Sequence, residues 1–160
     1  MTTRNALRLV LLLTVALALA GCGATAHQPR PGGTQSKAHG AVRAAYSQVG
    51  APYVLGGASP RQGFDCSGLV YWAYRTNGVA VPRITRDQAR AGQPVARGQA
   101  RPGDIMVFRI DRNKPALHTA IYAGGNTFVH SPSRGKTVRM ETLSKPFWHD
   151  RLVGVRRVSS

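Results

Sequence analysis

Cys66 and a set of five histidines hold most of the nucleophilic and proton-carrying chemistry in this 160-residue chain. The thiol stands in the run Asp65-Cys66-Ser67-Gly68. Beyond it, Leu69, Val70 and Ala73 recur at helical spacing, so a helix is expected over Cys66 to Arg75, closed by Asn77-Gly78. Asp65 reads as the N-cap of that helix. Cys66 then lies in the first turn, where free backbone N–H groups and the positive end of the macrodipole favour a thiolate. The thiolate is the form that attacks a carbonyl carbon, so this placement suits acyl transfer or hydrolysis. A buried, inert cysteine is the structural alternative. Gly68 costs such a helix about 1 kcal/mol relative to Ala. That cost points to a reason beyond helix formation, and the expectation is room for a substrate backbone.

A thiol nucleophile needs a base that can hand a proton to the leaving amine, and imidazole does this at neutral pH. His27 and His39 fall in a polar N-terminal segment and His149 among late loop residues. His118 and His130 fall on two expected strands, His118 to Ala123 and Thr127 to Ser131, flanking Gly124-Gly125-Asn126. Side chains alternate faces along a strand. A three-residue loop, Ala123-Gly124-Gly125, sets His118 directly opposite His130, whereas a two-residue turn puts them on opposite faces. An odd-length loop with both imidazoles on one face is expected. Taken singly, either histidine could be a polar residue at a sheet surface.

These residues need a scaffold. A helix is expected over Ala41 to Val49, stopped by Gly50, followed by an extended segment Ala51 to Gly57 and a loop from Pro60 to Phe64. Thr85 with Gln88 three residues on has the form of a capping box opening a short helix to about Ala91. Arg101-Pro102-Gly103-Asp104 is a turn leading into a strand Ile105 to Phe108. Further strands are expected over Thr137 to Glu141 and Leu152 to Val158. Helices first and antiparallel strands after them imply an α+β fold with the helices on one side of the sheet.

The N-terminus reads as an export signal. Arg4 and Arg8 precede an apolar run, Leu9 to Leu19, too short to cross a bilayer as a mature helix and without the polar face of a core helix. Leu19-Ala20-Gly21-Cys22 resembles a bacterial lipobox, which implies cleavage before Cys22 and acylation of that residue. The expected organisation is a signal peptide over 1–21, a lipidated flexible tether over 22–38, rich in Gly, Pro, Gln, Ser and Thr, and a catalytic domain over 39–160. A lipidated Cys22 cannot pair, which leaves Cys66 a lone thiol in an oxidising compartment. Gly23, not Asp, follows Cys22. Where the host has an outer membrane, the resemblance implies anchoring there, facing the periplasm.

The formal charge is +16, from 22 Lys and Arg against 6 Asp and Glu. The basic residues are dispersed, mostly Arg in loops, and the export signal sets nucleic acid aside as a partner. Anionic envelope polymers and lipid headgroups remain. With one usable Cys, no His-Glu motif and few acids, no metal is expected, and no phosphate loop or cofactor motif is present.

Four motifs together resemble the NlpC/P60 peptidases: Tyr53-Val54-Leu55-Gly56-Gly57, Asp65-Cys66-Ser67-Gly68-Leu69-Val70, Arg101 to Phe108 around Pro102-Gly103-Asp104, and His118-Thr119-Ala120-Ile121-Tyr122 followed by Phe128-Val129-His130-Ser131. The similarity runs from about His39 to Val158. It implies a papain-like α+β fold with N-terminal helices on a central antiparallel sheet. It also implies a Cys66-His118-His130 triad, in which His130 orients His118 and is the most replaceable member. By resemblance the oxyanion hole uses the Cys66 N–H and the Tyr53 hydroxyl. Asp65 and Ser67 could bind substrate peptide, with Asp65 equally a plain N-cap. The implied function is hydrolysis of amide bonds in the stem peptides or cross-links of peptidoglycan by a monomeric, membrane-anchored lipoprotein. A wall-binding protein without activity, and an amidase or acyltransferase using the same triad, are the alternatives. Thr119 departs from the hydrophobic residue common in relatives, and Arg109 to Leu117 is a variable loop before the base.

Overall fold

The computed structural model describes residues 32–158 apart from Arg112 and Pro115. The expected signal peptide, Cys22 and His27 lie outside the described residues. Helix α1 covers Gly32–Tyr46, so it begins inside the stretch expected to be tether and ends three residues before the expected last residue, Val49. The cause is packing. Ala41 and Ala45 are fully buried against α2 (Cys66–Arg75). Gly40 is a point of close approach, since a Cβ there would lie 2.0 Å from Asn77 Oδ1. A residue that reads as a breaker is here a contact.

After α1 come a small hairpin of β1 (Ala58–Ser59) and β2 (Gly63–Phe64), then α2, then a single turn α3 (Thr85–Gln88). Next are β3 (Gln93–Pro94), β4 (Ile105–Arg109), β5 (Leu117–Gly124), β6 (Thr127–His130), β7 (Arg139–Thr142), a turn of helix α4 (Pro146–His149) and β8 (Leu152–Arg157). Six strands form one antiparallel sheet in the order β3-β8-β4-β5-β6-β7. The α+β class stands. Thr137, expected in a strand, makes only an isolated bridge to Pro52, and the strand starts at Arg139.

The sheet has a core on each face. Ile105, Ile121 and Val129 pack with Leu69, Val70 and Ala73 of α2 and with Ala41 and Ala45 of α1. Met106, Phe108, Ala120 and Phe128, the alternate residues of the same strands, pack with Leu143 and with Trp148 of α4. The two long helices lie on the first face, as expected, and the second is covered by Leu143 and the single turn α4 with Trp148. The second face carries large aromatic side chains, each stabilising by roughly 2–3 kcal/mol on burial, and α4 completes their enclosure.

The β5–β6 register is Ile121↔Val129 and Tyr122↔Phe128, then Gly124↔Thr127 after a bulge at Ala123. The turn residues Gly125 and Asn126 both have positive φ, 56° and 61°, the signature of a two-residue type I′ turn. The expected three-residue loop is therefore a two-residue turn plus a bulged residue. His118 and His130 still share a face, but they are offset by two residues rather than directly opposite.

Candidate active site

Cys66 is the first residue of α2, and Asp65 is its N-cap, accepting from the Gly68 N–H at 2.6 Å. The carboxylate does more than cap. Oδ1 also accepts from the Ser67 hydroxyl and Arg83 Nη1, at 3.1 Å each, and Oδ2 accepts from the Gly56 N–H and Arg83 Nη2, at 2.9 Å each. Arg83 further donates to Ser67 Oγ at 3.0 Å and to the Gly57 carbonyl at 3.2 Å. Burial by itself would raise the Asp65 carboxyl, but hydrogen bonds from Arg83, Gly68 and Gly56 outweigh it and hold the group below the usual carboxylate range. The capping anion is thus neutralised beside the thiol rather than repelling a thiolate. With its oxygens committed to the protein, Asp65 organises the turn before the nucleophile. Nothing in the local sequence Val81-Pro82-Arg83-Ile84 announces Arg83 as its partner.

Gly68 has a structural explanation. A Cβ there would lie 1.9 Å from the Gly57 carbonyl oxygen, so the backbone of the Tyr53–Gly57 segment, not substrate, occupies the space. The same segment is fixed by the Tyr53 N–H to Lys136 O at 2.9 Å and the Val54 N–H to Phe64 O at 3.0 Å. Burial, reinforced by the charges of Cys66 and Asp65 and opposed by Arg134, raises the Tyr53 hydroxyl above its ordinary acidity range. At neutral pH it is a hydrogen-bond donor.

His118 Nε2 and His130 Nδ1 are 2.8 Å apart. Both rings are buried, His130 completely, and Phe108, Phe128 and Trp148 surround them, with Trp148 edge-on to His130 at a centroid distance of 4.9 Å. Burial pushes His118 down to about 4. His130 is lowered by burial and then by the charges of His118 and Arg139. The pair is neutral at pH 7. With Nε2 of His118 committed to His130, Nδ1 is the nitrogen left to accept a proton. For that, His118 must carry hydrogen on Nε2 and donate it, so His130 carries its own hydrogen on Nε2. That atom is buried without a hydrogen-bond partner, among aromatic rings that can accept an N–H only weakly. Trp148 went unassigned in the sequence, although Pro146 at the first position of α4 is a helix-start signal.

Among the described residues, the hydrogen-bond partner of the Cys66 thiol is the Thr85 hydroxyl, with Sγ and Oγ1 3.6 Å apart, and no hydrogen bond joins Cys66 to His118. Apo catalytic geometry commonly tightens only when substrate binds. The expected Thr85–Gln88 capping box is absent. The N-cap of α3 is Ile84, with no side-chain cap, and α3 ends at Gln88 rather than near Ala91. Gln88 is fully buried and bonds to Ser67 O, Pro82 O and the Thr119 hydroxyl at 2.8–2.9 Å. It ties the residue after the nucleophile to the residue after the base. No group of three or more His, Cys, Asp and Glu that could hold a metal occurs among the described residues.

The geometry thus offers a thiol at a helix N-terminus, a neutral imidazole pair with one proton-accepting nitrogen, and a protonated tyrosine beside the thiol. A model of the NlpC/P60 family matches residues 50–157, a range that holds all of these groups. The chain is 36% identical over 144 residues to murein DD-endopeptidase MepH of Escherichia coli (strain K12), covering 88% of this chain and 52% of that protein. It is 39% identical over 121 residues to the probable endopeptidase YafL of the same organism, covering 74% and 49%. Thus the chain spans about half the length of these curated relatives. Among solved structures it resembles an NlpC/P60 family protein from Bacillus cereus with a TM-score of 0.71 and 31% identity, over 77% of this chain and 40% of that one.

Proposed function

The chain belongs to the NlpC/P60 family, and we propose on that footing that it is a cysteine peptidase hydrolysing amide bonds in the peptide part of peptidoglycan. Cys66 is the nucleophile, His118 the base and His130 the residue that orients it. One observation carries this reading: the Nε2-to-Nδ1 contact of the histidine pair engages Nε2 of His118 and leaves its Nδ1 outside that bond, while Cys66 heads α2.

His118 Nδ1 takes the thiol proton as sulfur adds to the carbonyl carbon. The resulting oxyanion is met by the Cys66 N–H and the Tyr53 hydroxyl. Imidazolium then protonates the leaving amine. Water adds to the thioester, giving a proton to His118, and the acid departs as the thiol is restored. Asp65, Ser67 and Arg83 hold the turn that presents the oxyanion donors.

The test is digestion of purified sacculi by the protein and by Cys66→Ala, with released muropeptides identified by mass spectrometry. New peptide termini with wild type alone are expected, and their masses name the bond. If both proteins bind the sacculus and neither changes the muropeptides, the hydrolase reading fails and a wall-binding role replaces it.

The location belongs to the same proposal. Arg4, Arg8, the apolar run to Leu19 and Leu19-Ala20-Gly21-Cys22 support a signal peptide over 1–21 and a lipid anchor on Cys22. The anchor would hold a monomeric domain at the cell envelope, at the outer membrane facing the periplasm where one exists. Labelling with a palmitate analogue should mark wild type and leave Cys22→Ser unmarked.

A further inference from the structure

The structure assigns Thr85 a direct part in the chemistry: we propose that it is a catalytic residue whose hydroxyl donates a hydrogen bond to the Cys66 sulfur and stabilises the anionic nucleophile. The inference rests on the reading of Cys66 as nucleophile.

Three observations converge on it. First, Sγ and Oγ1 are 3.6 Å apart, and among the described residues the hydroxyl has no other hydrogen-bond partner. Second, the start of α3 is left without a side-chain cap, with Ile84 at the N-cap and Thr85 next to it. A cap at such a position is worth about 1 kcal/mol. The Thr85 hydroxyl, at the first helical position, makes no capping bond and lies against sulfur instead. Third, Thr85 cannot readily swing away. Gln88, three residues on, is bound on three sides to Ser67, Pro82 and Thr119, and this locks α3 against both the nucleophile helix and the strand of the base.

The proton count is simple. The thiol proton leaves for Nδ1 of His118, and the Thr85 proton stays on its own oxygen, shared with the sulfur as O–H···S⁻. When the C–S bond forms, negative charge moves to the carbonyl oxygen, and the Thr85 bond weakens as the oxyanion donors take over. When the thioester is hydrolysed, charge returns to sulfur and the bond re-forms. A hydrogen bond to the charged form of a group favours that form.

The experiment is alkylation of the full-length protein by iodoacetamide, followed by mass spectrometry on the peptide that contains Cys66, for wild type, Thr85→Val and Thr85→Ser. No peptide substrate is involved, so the outcome is separate from whether the protein cuts peptidoglycan. At pH 7, Thr85→Val is expected to react more slowly than wild type by about 10-fold or more, as loss of one hydrogen bond to a charged group implies. Thr85→Ser should stay near wild type. At about pH 10, where thiols are ionised without help, the three should converge, which separates thiolate stabilisation from a change in access. Equal rates for valine and wild type at pH 7, or a slow serine variant, would overturn the proposal.

Discussion

His118 and His130 are out of direct register across β5 and β6, yet their rings meet Nε2 to Nδ1 at 2.8 Å. The pairing Ile121↔Val129 places His130 level with Ala120. The two imidazoles are diagonal neighbours on one face, and rings of this size can span that separation. Phe128, on the same face, and Trp148 then fill the space around them.

Because that contact fixes which nitrogen of His118 is free, His130→Ala should act on catalysis more than on binding. A fall in kcat of about 10²-fold or more is expected, by analogy with loss of an orienting group from a triad, with KM changing by less than about threefold. Steady-state hydrolysis of a purified stem peptide measures both. A variant that raises KM alone would show that the pair does not orient the base.

The buried imidazoles also give stability a pH dependence of known sign. Burial lowers both groups, His118 to about 4 against 6.5 unfolded. Between about pH 6.5 and 4 the unfolded chain takes up protons that the folded chain excludes. Stability therefore falls on acidification through that window, by about 1.4 kcal/mol per pH unit for each histidine at most, and is insensitive to this pair above it. Asp65 acts separately and lower, below its unfolded value of 3.8, because its folded carboxyl is held down. Denaturant midpoints from about pH 7.5 to 4.5 should slope for wild type and become shallower for His118→Asn, with His130 supplying the remainder, and an unchanged slope in the variant refutes the assignment.

Arg83→Met strands the Asp65 carboxylate among Ser67, Gly68 and Gly56 with its cation gone. A loss of about 2–3 kcal/mol is expected, at the low end for a buried pair because Arg83 is partly exposed. Adding Asp65→Asn should recover part of it. Urea melts of the two single variants and the double variant give the coupling directly. Additive losses would mean that the two side chains do not stabilise each other.

Gly68→Ala separates two expectations of opposite sign. Helix propensity alone predicts a gain of about 1 kcal/mol. The Gly57 carbonyl, 1.9 Å from the new Cβ, predicts a loss of about 2 kcal/mol or more as the turn around Asp65 is pushed apart. Thermal melts decide between them, with a lower midpoint expected.

The elements with long periodic patterns were legible from sequence: α2 with its N-cap Asp65, β4, and the hairpin carrying both histidines. What escaped has a physical reason in each case. Two-residue strands such as β3 contain no alternation to read, and α4 is a single turn, below the length at which helices have a signature of their own. The turn between β5 and β6 was expected as a three-residue loop over Ala123-Gly124-Gly125 rather than a two-residue turn at Gly125-Asn126, because a bulge at Ala123 is a property of the pairing and not of the residue. Thr85 and Gln88 carry a true capping pattern, and tertiary contacts redirected both side chains. Gly68 was rightly marked as unusual and wrongly explained, because Gly57 is distant in sequence and close in space. Arg83 and Trp148 act only through partners that the fold brings to them.

The bulge at Ala123 gives the β5–β6 tip a reading frame of two. Adding or deleting a single residue there would turn one imidazole away from the other, whereas a change of two would keep both facing inward and slide them along the strands. The length of this tip is then free to vary only in steps that preserve parity, a selection rule written in insertions and deletions and invisible to any substitution.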